Sequence, residues 1–174
     1  MRMTLARWDL QLLLWLRQLS FEKDLHRVAK LVSRSGDGEL YFAFALLALM
    51  THWQSGLDYF LTLLLAFAVE LPLYWLLKNT CRRNRPAEIC GTQGEAISAA
   101  IKPHDKFSFP SGHTCAAFLC ATVTAQMYPP LAWIALTWAS LIGLSRVLLA
   151  VHFPTDVLAG AALGYSIATI AMAF

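Results

Sequence analysis

The sequence predicts an all-α fold, a polytopic bundle of membrane helices that forms one domain over residues 1–174. Three observations predict it. Of the 174 residues, 57% are hydrophobic and 14% are charged, whereas a soluble domain carries about 25% charged residues. Five apolar stretches approach the roughly 20 residues that a helix needs to cross a bilayer. Between residues 107 and 174 the formal charges are Arg146 and Asp156 alone.

The predicted spans are taken in chain order. They cover residues 38–53, 57–77, 111–128, 131–150 and 154–174. The first is short for a bilayer, and the other four fit its thickness. Pro129 and Pro130 separate the third span from the fourth, because two prolines start a helix well and continue one badly. The sequence therefore predicts five clear transmembrane helices.

Residues 1–36 form an amphipathic N-terminal segment. Leucine and tryptophan recur there at steps of three and four residues, with arginine and glutamine between them. This is the periodicity of an amphipathic helix, and an interfacial helix on the membrane surface is the preferred interpretation. A short sixth span over residues 4–20 is the alternative.

Residues 78–110 form a polar connection between the second and third spans. Long loops in compact proteins are usually functional, so an active-site loop is expected here. Cys81 and Cys90 could form a disulfide in an oxidising compartment or remain two thiols. His104 and Asp105 are expected to be solvated in this loop.

Three short strings hold the polar residues that the apolar segments otherwise exclude. They cover residues 78–86, 110–113 and 145–156. A charge near the bilayer centre costs about 3 kcal/mol or more, so charges kept in such a chain indicate function. On the five-span layout all three strings fall on one side of the membrane, which predicts a single site. Arg82 and Arg83 are expected to be solvated or to touch lipid headgroups.

The residue types in the strings suit a dianionic, tetrahedral group. Lys78, Arg85 and Arg146 supply cationic donors, of which arginine presents a planar fork that matches phosphate oxygens. Ser111 and Gly112 open a helix, where free backbone N–H groups and the helix dipole favour an anion. These five residues are therefore the predicted phosphate ligands.

The remaining polar residues suit hydrolysis. Phosphoryl transfer needs a nucleophile, charge neutralisation and an acid for the leaving group. Asp156 follows His152 by one helical turn and is the expected orienting partner of its imidazole, as in a catalytic triad. That makes His152 the nucleophile and His113 the general acid. The strings lack paired carboxylates of the kind that hold magnesium, so neither a metal nor another cofactor is expected.

The three strings together resemble the type 2 phosphatidic acid phosphatase family of membrane lipid phosphatases. Its pattern is Lys-x6-Arg-Pro, then Pro-Ser-Gly-His, then Ser-Arg-x5-His-x3-Asp, and every fixed position is matched in order. The resemblance implies a phosphohistidine at His152, an orienting role for Asp156, and His113 first as acid and then as the group that activates water. Soluble vanadium haloperoxidases look like relatives, but the apolar chain argues against that branch.

The expected function is metal-independent dephosphorylation of a membrane lipid phosphate or pyrophosphate. Phosphatidylglycerol phosphate, phosphatidate, polyprenyl pyrophosphate and lipid A phosphates all qualify as substrates. A lipid phosphotransferase with the same site, or a non-catalytic membrane transporter or scaffold, are the alternatives. The expected partners are the lipid substrate and the bilayer. Nucleic acid is not expected, because no basic block with interleaved aromatic residues occurs.

A bacterial inner membrane is the expected location, and two arguments disagree on which side the site faces. On the five-span layout all 14 Lys and Arg residues lie on the active-site side, so the positive-inside rule favours the cytoplasm. The family resemblance implies the periplasm, which is the expectation adopted here. If residues 4–20 span the membrane, Arg2 and Arg7 move to the other side and the disagreement lessens.

Overall fold

The described part of the chain is helical and contains no strand. The computed structural model describes residues 2–19, 23–51, 53–89 and 105–173. Its helices in chain order are α1 (Arg2–Leu19), α2 (Lys23–Arg34), α3 (Gly38–Thr51), α4 (Trp53–Cys81), the short α5 (Pro86–Ile89), α6 (Gly112–Met127), α7 (Ala132–Leu148) and α8 (Pro154–Ala171). A 3-10 turn, Pro129–Leu131, leads into α7. The predicted all-α class is confirmed.

The helix α4 extends about one turn beyond the predicted apolar stretch. The side chains of Asn79 and Thr80 donate to the carbonyls of Trp75 and Leu76, one turn earlier, over 2.8 and 2.7 Å. Arg82 then takes a left-handed conformation with φ 45°, which is a common way to end a helix. As a result the start of the first polar string, residues 78–81, lies in the last turn of α4 and not in a loop.

Two of the described helices are long and apolar enough to cross a membrane, Gln54–Cys81 and Pro129–Leu148. The helix α3 is apolar but shorter, with 14 residues. Large apolar side chains on these helices point outwards; Trp75 is 66% exposed and Trp133 is 83% exposed. Such an outer surface is stable only in contact with lipid or with another apolar surface. Each of the five predicted spans forms a helix. That all five cross a membrane remains a prediction.

The core of the bundle forms around α6, which packs against α8, α7 and α4. Leu119 and Val123 of α6 and Ile142 of α7 are completely buried. Two glycines of α8 bring it into backbone contact with α6. A Cβ atom at Gly160 would lie 2.5 Å from the carbonyl oxygen of Ser111, and one at Gly164 would lie 2.2 Å from that of Cys115. Small residues of this kind let membrane helices approach closely.

The N-terminal helices lie against α7 and α8. α2 contacts α7 and buries Ala29 and Ser33, while α1 contacts α7 and α8 and buries Asp9 and Leu13. Trp8, on the opposite side of α1, is 70% exposed. The amphipathic character of residues 1–36 stays a prediction. The buried aspartate was not predicted and becomes important at the site.

Part of the predicted active-site loop lies outside the described residues. The structure describes residues 78–89 and resumes at residue 105. Cys90 and His104 fall in the gap, and with them the question of the Cys81–Cys90 disulfide.

The close contact between α6 and α8 gives a test of the packing. Gly164→Ala should lower the thermal unfolding temperature of the purified protein in detergent, because its Cβ would overlap the Cys115 carbonyl. Overpacking of this kind costs about 1–3 kcal/mol. The control is Gly38→Ala, because a Cβ atom there has nothing within 4 Å. Equal unfolding temperatures for the two variants would contradict the backbone contact.

Candidate active site

The three polar strings meet at one end of the bundle, where hydrogen bonds join them. The Ser111 N–H donates to the carbonyl of Asp156 over 3.0 Å, which links the second string to the third. Arg85 Nη1 donates to the carbonyl of Val151 over 2.8 Å, which links the first string to the third. The starts of α6 and α8 and the end of α4 are thereby fixed relative to one another.

His152 is placed by a tight reversal between α7 and α8. The N–H groups of Val151 and His152 both donate to the Arg146 carbonyl, over 3.2 and 3.3 Å. Ala150 allows this reversal by adopting a left-handed conformation with φ 53°. For a residue with a Cβ atom this costs about 1–2 kcal/mol, so the surrounding packing must hold the turn. The imidazole is returned to the end of α7 beside Arg146.

The His152 imidazole is buried and its tautomer is determined by a backbone carbonyl. Its Nδ1 lies 2.7 Å from the carbonyl oxygen of Ser108. A carbonyl only accepts, so Nδ1 carries the proton and Nε2 keeps the lone pair. Asp156 Oδ2 lies 3.9 Å from Nδ1, which is too far for a hydrogen bond. The Ser108 carbonyl therefore accepts the hydrogen bond that Asp156 was expected to accept from His152. The motifs do not mark Ser108, because every residue carries a backbone carbonyl.

The surroundings of His152 keep its ring neutral. Burial and the nearby charges of Arg146, Arg85 and Lys78 lower the pKa of His152 well below its ordinary value. The hydrogen bond to Ser108 acts in the opposite direction and does not reverse the shift. A neutral imidazole with a free lone pair on Nε2 is the nucleophilic form of histidine.

Asp156 is completely buried and is held by two donors. Arg83 Nη1 donates to Oδ1 over 2.7 Å, and the Phe153 N–H donates to Oδ2 over 2.9 Å, which closes the first turn of α8. The Arg83 guanidinium also lies over the Phe153 ring, 4.1 Å from its centroid. The expectation that Arg83 is solvated or lipid-facing is wrong. Arg83 falls between the fixed positions of its motif, so the pattern alone assigns no role to it.

Three cationic side chains are buried together, and two of them share one carboxylate. Lys78, Arg85 and Arg146 are each 5% exposed. Lys78 Nζ lies 2.6 Å from Asp105 Oδ2 and also donates to the Tyr74 hydroxyl. Arg85 Nη2 donates to the other oxygen of Asp105, and its Nε donates to the Asp105 backbone carbonyl over 3.2 Å. The prediction that Asp105 is solvated is therefore wrong.

Asp105 is ionised in this setting. Burial alone would raise its pKa, but hydrogen bonds from Lys78 and Tyr74 and the charges of Lys78 and Arg85 hold the pKa of Asp105 below its ordinary value. The chain therefore supplies its own anion to two of the predicted phosphate ligands.

Arg146 has unused hydrogen-bonding capacity. Its Nη1 donates to the hydroxyl of Ser33 on α2. Its Nε is buried and has no hydrogen-bond partner among the described residues. A buried guanidinium N–H without a partner is costly, and an anion with several oxygens would satisfy it.

Ser111 and Gly112 form the start of α6 as expected. The Ser111 hydroxyl and the Thr114 hydroxyl lie 2.9 Å apart. A Cβ atom at Gly112 would lie 3.0 Å from the Tyr74 ring, so the absence of a side chain lets α6 pack closely against α4. The glycine at this position is therefore explained by packing against α4 as well as by the predicted approach of a phosphate.

His113 occupies the first turn of α6 and contacts a carboxylate that the motifs do not mark. Its Nε2 lies 3.0 Å from Oδ1 of Asp37, in the connection between α2 and α3. A cavity of about 790 Å³ adjoins this pair and runs between α3 and α4. Its polar lining includes His113, Asp37 and Asp105, and its apolar lining includes Phe60 and Phe67. Within the described ranges, no group of three His, Cys, Asp or Glu side chains is arranged to hold a metal ion.

Residues 55–174 match the PAP2 superfamily. The chain is also 35% identical over 104 residues to a decaprenylphosphoryl-5-phosphoribose phosphatase of Mycobacterium tuberculosis, a match that covers 55% of this chain and 49% of that protein. The chain spans about half the length of the curated relatives that it matches.

Two crystal structures share the fold. LpxE from Aquifex aeolicus has a TM-score of 0.76 and 26% identity, with 95% of this chain and 94% of that chain covered. A transmembrane PAP2 type phosphatidylglycerolphosphate phosphatase from Bacillus subtilis has a TM-score of 0.75 and 24% identity, with 98% and 86% covered. The resemblance carried by the three strings is thereby confirmed, and the chain belongs to the PAP2 superfamily.

Proposed function

We propose that the protein hydrolyses the phosphate ester or pyrophosphate of a membrane lipid without a metal ion. One observation carries the proposal. A neutral imidazole, with its Nδ1–H held by the Ser108 carbonyl, lies buried within the field of the cations Lys78, Arg85 and Arg146. A buried nucleophile beside clustered donors for a tetrahedral anion is the arrangement that phosphoryl transfer requires.

The proposed reaction has two steps. In the first, His152 Nε2 attacks phosphorus, the bond from phosphorus to the lipid oxygen breaks, and His113 gives a proton to that oxygen. In the second, His113 takes a proton from water, the hydroxide attacks phosphorus, and the phosphorus–nitrogen bond breaks. Inorganic phosphate leaves and His152 is neutral again. Lys78, Arg85 and Arg146 neutralise the charge on the phosphoryl oxygens in both steps.

Asp156 has a supporting role in this proposal. Its carboxylate lies 3.9 Å from His152 Nδ1 and would stabilise the positive charge that the ring gains when it attacks phosphorus. The Ser108 carbonyl supplies the direct hydrogen bond that fixes the ring. The start of α6 at Ser111 and Gly112 would complete the phosphate pocket.

The cavity beside His113 favours an amphiphilic substrate. Its polar groups lie at the site and its phenylalanine and leucine side chains continue between α3 and α4. Asp105 lines this cavity and contacts Lys78 and Arg85. A phosphate headgroup that displaces Asp105 would reach these cations while an acyl or prenyl chain remains in the apolar part. Phosphatidylglycerol phosphate, phosphatidate, polyprenyl pyrophosphate and lipid A phosphates all have this form, and a panel of the four assayed on purified protein would rank them.

We also propose five membrane spans, formed by α3, α4, α6, α7 and α8, in a bacterial inner membrane with the site facing the periplasm. The apolar outer surface of the bundle supports the spans, and the polar strings at one end support a site at one face. α1 and α2 would then lie beside that face.

Two substitutions test the roles of the histidines. His152→Ala should abolish phosphate release from every substrate, because it removes the proposed nucleophile. In the first turnover, His113→Ala should slow release of the dephosphorylated lipid by about 10²–10⁴, the usual contribution of a general acid. It should slow the first-turnover release of p-nitrophenol from p-nitrophenyl phosphate far less, because that leaving group needs no proton. In detergent with EDTA present, phosphate release is measured for His152→Ala, and the leaving group released in the first turnover is measured for His113→Ala. Ordinary turnover by His152→Ala would refute the mechanism.

Asp105 gives a test of the phosphate ligands. Asp105→Asn should strengthen competitive inhibition by inorganic phosphate about tenfold, because the substitution removes an anion that holds the same N–H donors of Lys78 and Arg85. The inhibition constant is measured against a lipid phosphate at pH 7. The matched control is Asp58→Asn, an exposed aspartate on α4. Weaker inhibition in Asp105→Asn would contradict this expectation. It would mean that Asp105 positions Lys78 and Arg85 for phosphate and does not compete with phosphate for them.

Cys81 gives a test of sidedness, because it is exposed at the end of α4 near the site. A variant that keeps Cys81 as its single cysteine should react with a membrane-impermeant maleimide in intact spheroplasts. A variant that keeps only Cys115, which is buried, should react only after denaturation. Labelling of Cys81 that requires lysis would place the site in the cytoplasm.

A further inference from the structure

The segment that precedes the family match contacts the site through three polar side chains. The match begins at residue 55, so α1, α2 and α3 lie before it. Asp9, Ser33 and Asp37 from this segment each bond to a residue of the polar strings. Each contact joins positions at least 74 residues apart in the chain.

We propose that residues 9–37 supply positioning residues for the reaction, in addition to any role in membrane attachment. Asp37 would position His113, Asp9 would position Asp156 through Arg83, and Ser33 would position Arg146. The inference rests on the proposed function, because a positioning residue acts through a catalytic one.

Asp37 is held in a defined turn against the site. The N–H groups of Gly36 and Asp37 donate to the carbonyls of Ser33 and Arg34, each over 3.1 Å. A Cβ atom at Gly36 would lie 3.0 Å from Ile142 of α7, so the absence of a side chain lets the turn lie against the bundle. From this turn the Asp37 carboxylate reaches the imidazole of His113. A carboxylate at this distance can accept a hydrogen bond from the ring and so fix its orientation.

Asp9 is a buried carboxylate that is fully hydrogen-bonded. It accepts from Arg83 Nη2 over 2.5 Å, from the Thr155 N–H over 3.0 Å and from the Thr155 hydroxyl. Arg83 therefore lies between two buried carboxylates, Asp9 and Asp156. A buried ion cluster is tolerated when each charge is paired and hydrogen-bonded. If Asp9 lost its charge, Arg83 would be paired with Asp156 alone. The guanidinium would then shift relative to Asp156.

Ser33 is the third of these residues, and it contacts Arg146, a proposed phosphate ligand. Its hydroxyl accepts from Arg146 Nη1, and both side chains are buried. This bond fixes one end of the guanidinium while Nε remains available for an anion. A guanidinium that is held in place loses less conformational freedom when phosphate binds.

The competing explanation is that these contacts only anchor α1 and α2 to the bundle. An anchor acts on folding, and its loss would lower the fraction of active protein equally for all substrates. Positioning residues act on individual steps, so each should have its own kinetic effect.

Asp37 is tested by leaving-group dependence. Asp37→Ala should lower the first-turnover rate of leaving-group release from a lipid phosphate about tenfold, a fraction of the contribution of a general acid, with little change in that rate for p-nitrophenyl phosphate. Asp37→Asn should recover part of the loss, because it keeps an acceptor for the ring. The control is Asp24→Asn, an exposed aspartate of α2, which should match the wild type. Equal losses of the first-turnover rate on both substrates would overturn the role of Asp37.

Ser33 and Asp9 are tested by readouts that do not depend on the folded fraction. Ser33→Ala should weaken the binding of inorganic phosphate about fivefold by calorimetry, in line with one lost hydrogen bond, while Ser140→Ala on α7 should not. Asp9→Asn should lower kcat per active site. The number of active sites is taken from the amplitude of the product burst in the first turnover. Phosphate affinity and per-site kcat equal to the wild type would overturn the proposal.

The outcomes separate this inference from the proposed function. If His113→Ala shows the leaving-group effect and Asp37→Ala does not, the phosphatase mechanism stands and the positioning role of Asp37 falls. Calorimetry of Ser33→Ala needs no turnover and therefore decides the Arg146 contact by itself.

Discussion

The burial of three cations at one end of an apolar bundle is the constraint on which the rest of the site depends. Lys78, Arg85 and Arg146 are almost completely removed from solvent, and a buried charge is costly unless an opposite charge and hydrogen bonds compensate it. The described residues compensate two of them with Asp105 and leave Arg146 Nε without a partner. The pocket therefore suits an anion with several oxygens. The Asp105 carboxylate compensates Lys78 and Arg85 but not Arg146.

The same charges set the state of the neighbouring imidazole. Cations around a buried histidine disfavour its protonated form, so the pKa of His152 is depressed and Nε2 stays available. The Ser108 carbonyl selects the tautomer, and Arg83 holds Asp156 nearby. A single arrangement of charge would thus bind the proposed phosphate and prepare the proposed nucleophile.

The sequence predicts the helices well and the contacts between distant segments poorly. Hydropathy locates α3, α4, α6, α7 and α8 within a few residues, because burial in lipid demands long apolar runs. The residues of the three strings are also recoverable, since their spacing is fixed within each motif. Charge type and spacing together are enough to indicate the phosphate chemistry.

The partners of those residues were missed for a physical reason. Ser108 acts through a carbonyl that every residue has. Asp9 and Asp37 lie far from the strings in the chain, and Arg83 lies between motif positions. Asp105 reaches the cations from a polar loop, where an aspartate is usually solvated. Only the three-dimensional fold brings such side chains to their partners, so periodicity and motif spacing contain no signal for them.

The central claim is that a neutral His152, held among buried cations, attacks phosphorus. Rapid mixing of the protein with a lipid pyrophosphate, followed by an alkaline quench and mass spectrometry of its peptides, tests it most directly. The account predicts an acid-labile phosphate on His152 that forms and decays at the rate of turnover. Phosphate on another residue, or turnover with His152 never modified at any time, would contradict it.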